Sequence, residues 1–163
     1  MNSLLLSDRG LLQVALQRLL QLMDERSVLW RCEDTLPAQV CLRQQPQVEL
    51  VVLDLSWCGV ERLYNIVSAL RPYMGPALLV LLADSASDAL ATRSTGVVAD
   101  LIVLRSEPGN VVRTAIKRAL ERRRDGLKDV GDALYAPLMT GFSTLPTQPT
   151  SAPAQQSGPA ALG

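Results

Sequence analysis

The sequence predicts an α/β fold, a doubly wound five-stranded parallel sheet in the order 2-1-3-4-5 with helices on both faces. Five short apolar runs predict the strands, because they lack the polar alternation of a strand that faces water on one side. Segments with apolar residues three and four positions apart lie between these runs and predict helices. Repeated alternation of strand and helix is typical of parallel sheets, and right-handed crossovers leave few other topologies.

The individual elements follow from these patterns in chain order. The predicted strands are the apolar runs at 4–6, 28–30, 50–53, 78–82 and 101–104. The predicted helices cover about 11–23, 35–45, 60–70, 86–95 and 111–120. In the first helix the core-facing stripe is predicted to contain Leu11, Leu12, Ala15, Leu16, Leu19, Leu20 and Met23. Three consecutive arginines at 122–124 close the last helix, where their charge complements the helix dipole.

Composition excludes several classes of protein. The 163 residues suffice for one domain with a sizeable core, and 16 basic residues balance 16 acidic ones. This balance gives no electrostatic footprint for nucleic acid or an anionic membrane. No apolar run approaches the length of a membrane span, and the start at residues 1–4 lacks the basic region of a secretory signal, so we expect a cytoplasmic protein.

The residues available for chemistry are few. Histidine is absent, which excludes histidine-based catalytic triads and histidine-containing metal sites. Cys32, Cys41 and Cys58 show no paired spacing, so they indicate buried reduced thiols rather than a disulfide framework or a zinc site. No glycine-rich nucleotide-binding motif occurs, and we assign no catalytic residue.

The composition changes towards the C-terminal end. Residues 1–124 are predicted to form the folded domain, and 125–139 a linker or short amphipathic segment. Residues 140–163 are rich in Pro, Ser, Thr and Gln and carry no charged side chain. Such a segment buries too little apolar surface to offset the entropy of ordering, so we expect a disordered tail.

Polar residues follow four of the five predicted strands. They occur in the segments Ser7-Asp8, Asp54, Ala83-Asp84 and Arg105, after the first, third, fourth and fifth runs. Because the carboxyl ends of parallel strands lie along one edge of the sheet, these residues are expected at a common rim, where ligands bind in such folds. Each one alone is explained by a strand ending in water, but together they favour a shared site.

The segment Val51-Val52-Leu53-Asp54-Leu55-Ser56-Trp57-Cys58-Gly59 resembles the phosphoacceptor segment of bacterial response-regulator receiver domains, the CheY-like fold. Residues 4–20 and 79–107 resemble other parts of that family, closest to receivers of the NarL/LuxR kind. The resemblance covers about residues 1–124. It implies a two-component signalling role, with Asp54 as the acceptor of a phosphoryl group from a sensor kinase and Mg²⁺ as cofactor.

The sequence also departs from the family pattern. Ser7 replaces one residue of the acidic pair, which leaves Asp8, Asp54 and the carbonyl of Ser56 as a weak Mg²⁺ site. Ala83 stands where the family has a hydroxyl residue, and its neighbour Asp84 adds a negative charge near the phosphoryl position.

Two further departures lie on the fifth strand and just after it. Arg105 replaces the family's lysine and is the candidate phosphate contact. Ile102 replaces the aromatic switch residue and has no ring to swing. Because phosphoryl transfer relies on positioning and charge neutralisation, we expect slow or weak phosphorylation of Asp54.

Three hypotheses remain open. The first is an atypical receiver that docks a protein partner, such as a sensor kinase or regulator, or homodimerises through its fourth and fifth helices. The second is a working receiver phosphorylated on Asp54 with Mg²⁺. The third is a small-molecule-binding or hydrolytic α/β domain that shares only the fold. None of the three requires direct nucleic-acid or membrane binding, and under the first two the protein is not an enzyme beyond accepting a phosphoryl group.

Overall fold

A parallel sheet of six strands runs through the part of the chain that the computed structural model describes, residues 1–126 and 134–135. The strands are β1 (Asn2–Leu6), β2 (Val28–Cys32), β3 (Leu50–Asp54), β4 (Leu78–Ala83), β5 (Leu101–Leu104) and β6 (Leu134–Tyr135). They lie in the order β2-β1-β3-β4-β5-β6, and every neighbouring pair is parallel. The predicted five-stranded order is confirmed, and β6 adds a two-residue strand beside β5.

Helices connect the strands. The five main ones are α1 (Gly10–Gln21), α2 (Thr35–Gln44), α3 (Val60–Met74), α4 (Ala86–Ala91) and α5 (Gly109–Arg124). A four-residue helical turn, Leu55–Cys58, precedes α3, and a 3-10 turn, Thr92–Thr95, follows α4. Side chains cap two of the helix starts, since Asp34 accepts from the backbone N–H of Thr35 and Ser85 from that of Asp88.

The sheet is buried on both faces. On β1, Leu4 and Leu6 belong to one apolar core and Leu5 to the other. The first core includes residues of α2 and α3, and the second includes residues of α1 and α5. Because successive strand residues point to opposite faces, a strand covered on both sides must be apolar at every position. This explains the continuous apolar runs in the sequence.

The first helix differs from its prediction. Leu16 and Leu20 are buried in the second core as predicted, but Leu11 is 83% exposed and Ala15 is also exposed. Apolar residues surround α1 on most of its circumference, so their spacing alone did not decide which of them face the sheet. The predicted core stripe is therefore wrong for Leu11 and Ala15.

The C-terminal predictions lie largely outside the described residues. The predicted disordered tail, 140–163, lies entirely outside them, and so does most of the predicted linker, 125–139. The strand β6 falls within that linker, where Leu134 pairs with Leu101 and Tyr135 with Ile102. In the described part of the chain, no helix has the length and apolar character needed to cross a membrane.

Candidate functional site

Asp54 is the last residue of β3 and lies at the carboxyl edge of the sheet. Its side chain is fully buried, with 0% exposure. The carboxylate begins the helical turn that follows, because Oδ1 accepts a hydrogen bond of 3.1 Å from the backbone N–H of Ser56. The Ser56 hydroxyl donates a second bond to the same oxygen at 2.7 Å. A buried ionised carboxylate needs such partners, since desolvation without them is costly.

Ser7 satisfies the other oxygen of the Asp54 carboxylate. It lies directly after β1, next to β3 in the sheet, and its hydroxyl donates to Asp54 Oδ2 at 2.7 Å. Ser7 is itself fully buried. Its oxygen also accepts from the backbone N–H of Arg9 at 3.1 Å, which fixes the hydroxyl in place. A residue singled out as a lost metal ligand therefore acts as a hydrogen-bond donor to Asp54.

Arg105 supplies the positive charge at the site. It follows β5, and its backbone N–H donates to the carbonyl of Ala83 at 2.8 Å, which extends the pairing of β4 and β5. Its Nη2 donates to Asp54 Oδ1 at 2.5 Å and to the Ser56 hydroxyl at 2.7 Å. The side chain of Arg105 is 26% exposed. It therefore covers the buried carboxylate from the solvent side.

Asp84 pairs with the same guanidinium. Its Oδ1 lies 3.1 Å from Arg105 Nε, although the geometry is not that of a hydrogen bond. The side chain of Asp84 is 46% exposed. Arg105 thus lies between one buried and one exposed carboxylate.

Asp8 stands apart from this cluster. It is exposed, and no hydrogen bond or ion pair joins its side chain to Asp54 or Arg105. The structure therefore brings together Ser7, Asp54, Asp84 and Arg105 of the rim predicted from the sequence, with Ser56 as an added partner. We call these five residues the Asp54 cluster.

Solved structures of similar architecture identify the fold. A LuxR family DNA-binding response regulator from Silicibacter pomeroyi superposes with a TM-score of 0.58 at 20% identity, over 74% of this chain and 92% of that chain. A response regulator receiver protein from Sinorhizobium medicae gives 0.59 at 20% identity, over 76% and 96%. A beryllofluoride-activated NtrC4 receiver domain dimer gives 0.58 at 15% identity, over 75% and 98%.

This chain has the receiver fold. Identities of 20% and below support the architecture, and function requires separate evidence from the site. No family model and no curated protein sequence matches the chain. The resemblance stated from the sequence is confirmed at the level of the fold.

Two further positions singled out from the resemblance to receivers are buried. Ala83 ends β4 with 0% exposure, and Ile102 lies inside β5 with 3% exposure. Ala83 offers the cluster no side-chain hydroxyl. Ile102 packs in the first core, on the side of α2 and α3.

The Asp54 cluster does not fit a divalent cation in this arrangement. Both oxygens of Asp54 already accept hydrogen bonds, and a guanidinium nitrogen lies 2.5 Å from one of them. Mg²⁺ needs open oxygen ligands in near-octahedral geometry, and a second cation beside Arg105 would be repelled. Among the described residues, no group of three or more acidic or cysteine side chains is placed to hold a metal ion.

Trp57 and Cys58 belong to the helical turn that follows Asp54. Trp57 is half-buried against the first core, and the Arg62 guanidinium lies 6.0 Å from the centre of its ring. Burial, reinforced by the nearby Asp54 charge, raises the pKa of the Cys58 thiol to about 11. Cys58 is therefore a neutral thiol at physiological pH and a poor nucleophile.

Sequence reasoning located the cluster but missed two of its contacts. Ser56 stands two residues after Asp54, where a hydroxyl can bond the carboxylate that caps a helical turn. Ser7 directly follows β1, the strand beside β3, and its short side chain reaches across to Asp54. Both positions were available as signals, but the donor directions depend on side-chain rotamers that a strand pattern does not specify.

Proposed function

We propose that this chain is an atypical receiver-like signalling protein of bacterial two-component type. In this proposal it acts in the cytoplasm by docking a protein partner and does not use phosphoryl transfer at Asp54. The formal net charge of zero favours a protein partner over nucleic acid, which is bound chiefly through positive charge. Any effect on transcription is therefore indirect.

One observation carries the proposal, the engagement of both Asp54 oxygens by the chain itself. Ser7 holds Oδ2, while Ser56 and Arg105 hold Oδ1. An acceptor carboxylate needs a free lone pair directed at the incoming phosphorus, together with charge neutralisation of the phosphoryl oxygens. Here the cation that would neutralise those oxygens is bound to the acceptor carboxylate, and Asp84 adds a second negative charge 3.1 Å from it.

The cluster thus resembles a closed structural ion pair more than an open phosphoacceptor site. The ion pair of Arg105 with Asp54 ties the end of β3 to the residue that follows β5 without any ligand. We infer that the surface presented by the adjoining elements is fixed in one form. A partner would then recognise the protein without prior modification.

The surface of α4, β5 and α5 is the proposed docking face. It carries Leu90 at 51% exposure, and Val98, just before β5, at 67%. Arg105 links the end of β5 to Asp54, so exposed apolar side chains beside β5 suit a surface that a partner recognises. This face contains the fourth and fifth helices, through which the first hypothesis from the sequence allows homodimerisation.

Intact-mass measurement tests the absence of phosphoryl transfer. The chain is incubated with acetyl phosphate and Mg²⁺ beside its Asp54→Asn variant, with a phosphorylatable receiver as positive control. We expect the mass of the chain to stay unchanged. An increase of about 80 Da that is absent from Asp54→Asn would establish the working-receiver alternative instead.

Partner binding tests the positive half of the proposal. A partner captured by the wild-type chain should bind Asp54→Asn with the same affinity and bind Leu90→Glu more weakly. Affinity that depends on acetyl phosphate treatment would contradict the proposal.

The small-molecule or hydrolytic hypothesis receives no support from the thiols, because burial raises the pKa of both Cys32 and Cys58 to about 11.

A further inference from the structure

An apolar groove lies between α2 and β2, the strand at one edge of the sheet. The half-buried side chain of Trp30 forms the wall on β2. The wall on α2 is a stripe of Leu36, Pro37, Val40 and Cys41. Leu36 is 68% exposed and Val40 44%, and the groove has a volume of about 410 Å³. We call it the α2 groove, and the proposed function does not use it.

Two glutamines close one end of the α2 groove, and no charged side chain among the described residues lines it. Gln44 is exposed and Gln45 is half-buried. Within the described part of the chain neither side-chain amide donates a hydrogen bond, although Gln45 Oε1 accepts one from Gln47. The indole N–H of Trp30 has no acceptor there either. Such donors beside an apolar wall suit a ligand with free carbonyl groups and uncharged side chains.

The chain itself contains a segment with these properties. Residues 136–163, which follow β6, carry no charged side chain. Within them, Leu145-Pro146-Thr147-Gln148-Pro149 places two prolines three positions apart. A polyproline II helix has three residues per turn and no internal hydrogen bonds, so both prolines share one side and the carbonyl groups are free. Proline-rich segments with this spacing dock in grooves lined by aromatic side chains.

We propose that residues 145–149 occupy the α2 groove of the same molecule as a polyproline II helix. The lengths agree, because Leu36 and Gln44 are about 12 Å apart along α2 and five residues of polyproline II also span about 12 Å. The chemistry agrees at both ends. Leu145 meets the apolar end of the groove at Leu36, and Gln148 meets the amide of Gln44.

The connection from β6 is long enough for this contact. The strands β6 and β2 are the opposite edges of the sheet, five strand spacings or about 24 Å apart. About ten residues join Tyr135 to Leu145, and they extend to about 33 Å. Because α2 begins just after β2 ends, Leu36 lies near the carboxyl edge of the sheet, towards which β6 also runs. The segment therefore reaches the groove along this edge and need not pass over the helices.

Tethering compensates for the weakness of a short contact. The segment belongs to the tail that the sequence predicts to be disordered, so docking costs ordering entropy, and the preformed polyproline II geometry lowers that cost. A short flexible connection gives an effective concentration on the order of millimolar. For a free peptide with a dissociation constant on the order of 0.1 mM, the tethered segment therefore outweighs the open groove about tenfold.

The α2 groove is separate from the α4–β5–α5 face proposed for docking. The strands β1, β3 and β4 lie between β2 and β5. The proposal therefore goes beyond the proposed function and does not depend on it.

Amide NMR spectra of the full chain test the contact. Leu145→Ser should shift the indole N–H signal of Trp30 and the amide signal of Val40, because the groove opens. Leu162→Ser, the matched control in the same uncharged region, should leave both signals in place. The spectrum of Trp57→Phe identifies which indole signal belongs to Trp30. Unchanged groove signals in Leu145→Ser would overturn the proposal.

A synthetic peptide of residues 143–151 tests the occupancy of the groove. It should bind Leu145→Ser about tenfold more tightly than wild type, whose own segment competes. Adding Val40→Glu to Leu145→Ser should abolish this binding, and thermal melts should match wild type because Val40 is 44% exposed. Equal affinity of the peptide for wild type and Leu145→Ser would overturn the proposal. So would groove signals that change with protein concentration, since these would assign the segment to a second molecule.

Discussion

Replacement of Arg105 by methionine tests the ion pair that closes the site. The substitution keeps a long apolar stem and removes the guanidinium, which leaves the fully buried Asp54 carboxylate without its cation. Three donors remain, namely the Ser7 hydroxyl and the amide and hydroxyl of Ser56. Breaking a buried ion pair typically costs about 3–5 kcal/mol. Because these donors persist and Arg105 is 26% exposed, we expect a loss of about 2–4 kcal/mol in unfolding free energy.

A double-mutant cycle isolates the interaction from other effects of the substitution. Asp54→Asn is the second single variant, and it should cost less, because Arg105 keeps its contact with Asp84. We expect a coupling free energy of about 1–3 kcal/mol between positions 54 and 105. Asp84→Asn is the matched control, since a half-exposed pair contributes less than about 1 kcal/mol.

Urea unfolding followed by circular dichroism measures these free energies, provided that the slope with denaturant stays constant among variants. The reasoning would be refuted if Arg105→Met lay within about 0.5 kcal/mol of wild type, the range of ordinary surface substitutions. The reasoning would also be refuted if the loss of unfolding free energy in the double variant equalled the sum of the losses in the two single variants.

Further outcomes follow from the same contacts. Ser7→Asp places a second carboxylate against the buried Asp54, so the free energy of unfolding should fall by about 2 kcal/mol or more in the presence of a chelator. Millimolar Mg²⁺ should restore the stability of this variant and leave that of wild type unchanged, and thermal melts with and without Mg²⁺ check this. Burial raises the pKa of Cys32 and Cys58 to about 11, above the ordinary 9.0, so the unfolded state loses these protons first and stability should fall as pH rises from about 9 to 11, less steeply in Cys58→Ala. At pH 8 a thiol reagent should label both residues only slowly in the native protein. The chain ended at Gly126 should stay folded, because among the residues that the structure describes those of both apolar cores lie before that point; a cooperative melt confirms this, and its absence contradicts it.

The sheet was predictable because its evidence is local. Each buried strand must be apolar at successive positions, so the run at 50–53 identifies β3 without knowledge of its neighbours. Parallel order then brings strand ends to one edge, which is why Asp54 and Arg105 meet although 51 positions separate them.

Features that depend on side-chain direction were less predictable. The contact between Ser7 and Asp54 depends on rotamers at two adjacent strands, and the sequence suggested only the loss of a carboxylate at Ser7. Likewise the sequence predicts Asp8 at the rim, but its side chain is exposed and is not part of the Asp54 cluster. Whether Asp54 accepts a phosphoryl group and whether Asp8 and Asp54 bind Mg²⁺ stay predictions.

Side-chain competition also divides the helix predicted at 86–95. The helix α4 ends at Ala91, and a 3-10 turn follows. In this stretch the hydroxyls of Thr92, Ser94 and Thr95 each donate to the carbonyl three residues earlier. Such bonds compete with the regular helical pattern and tighten the turn. Apolar spacing does not report this competition.

Titration with Mn²⁺ tests most directly whether the chain itself occupies the Asp54 carboxylate. This paramagnetic ion broadens the amide NMR signals of residues close to its binding site. The account predicts no selective broadening at Ser7, Asp54 or Ser56 up to millimolar Mn²⁺, since Arg105 and two hydroxyls already hold both carboxylate oxygens. Saturable broadening at these three residues that disappears in Asp54→Asn would contradict it.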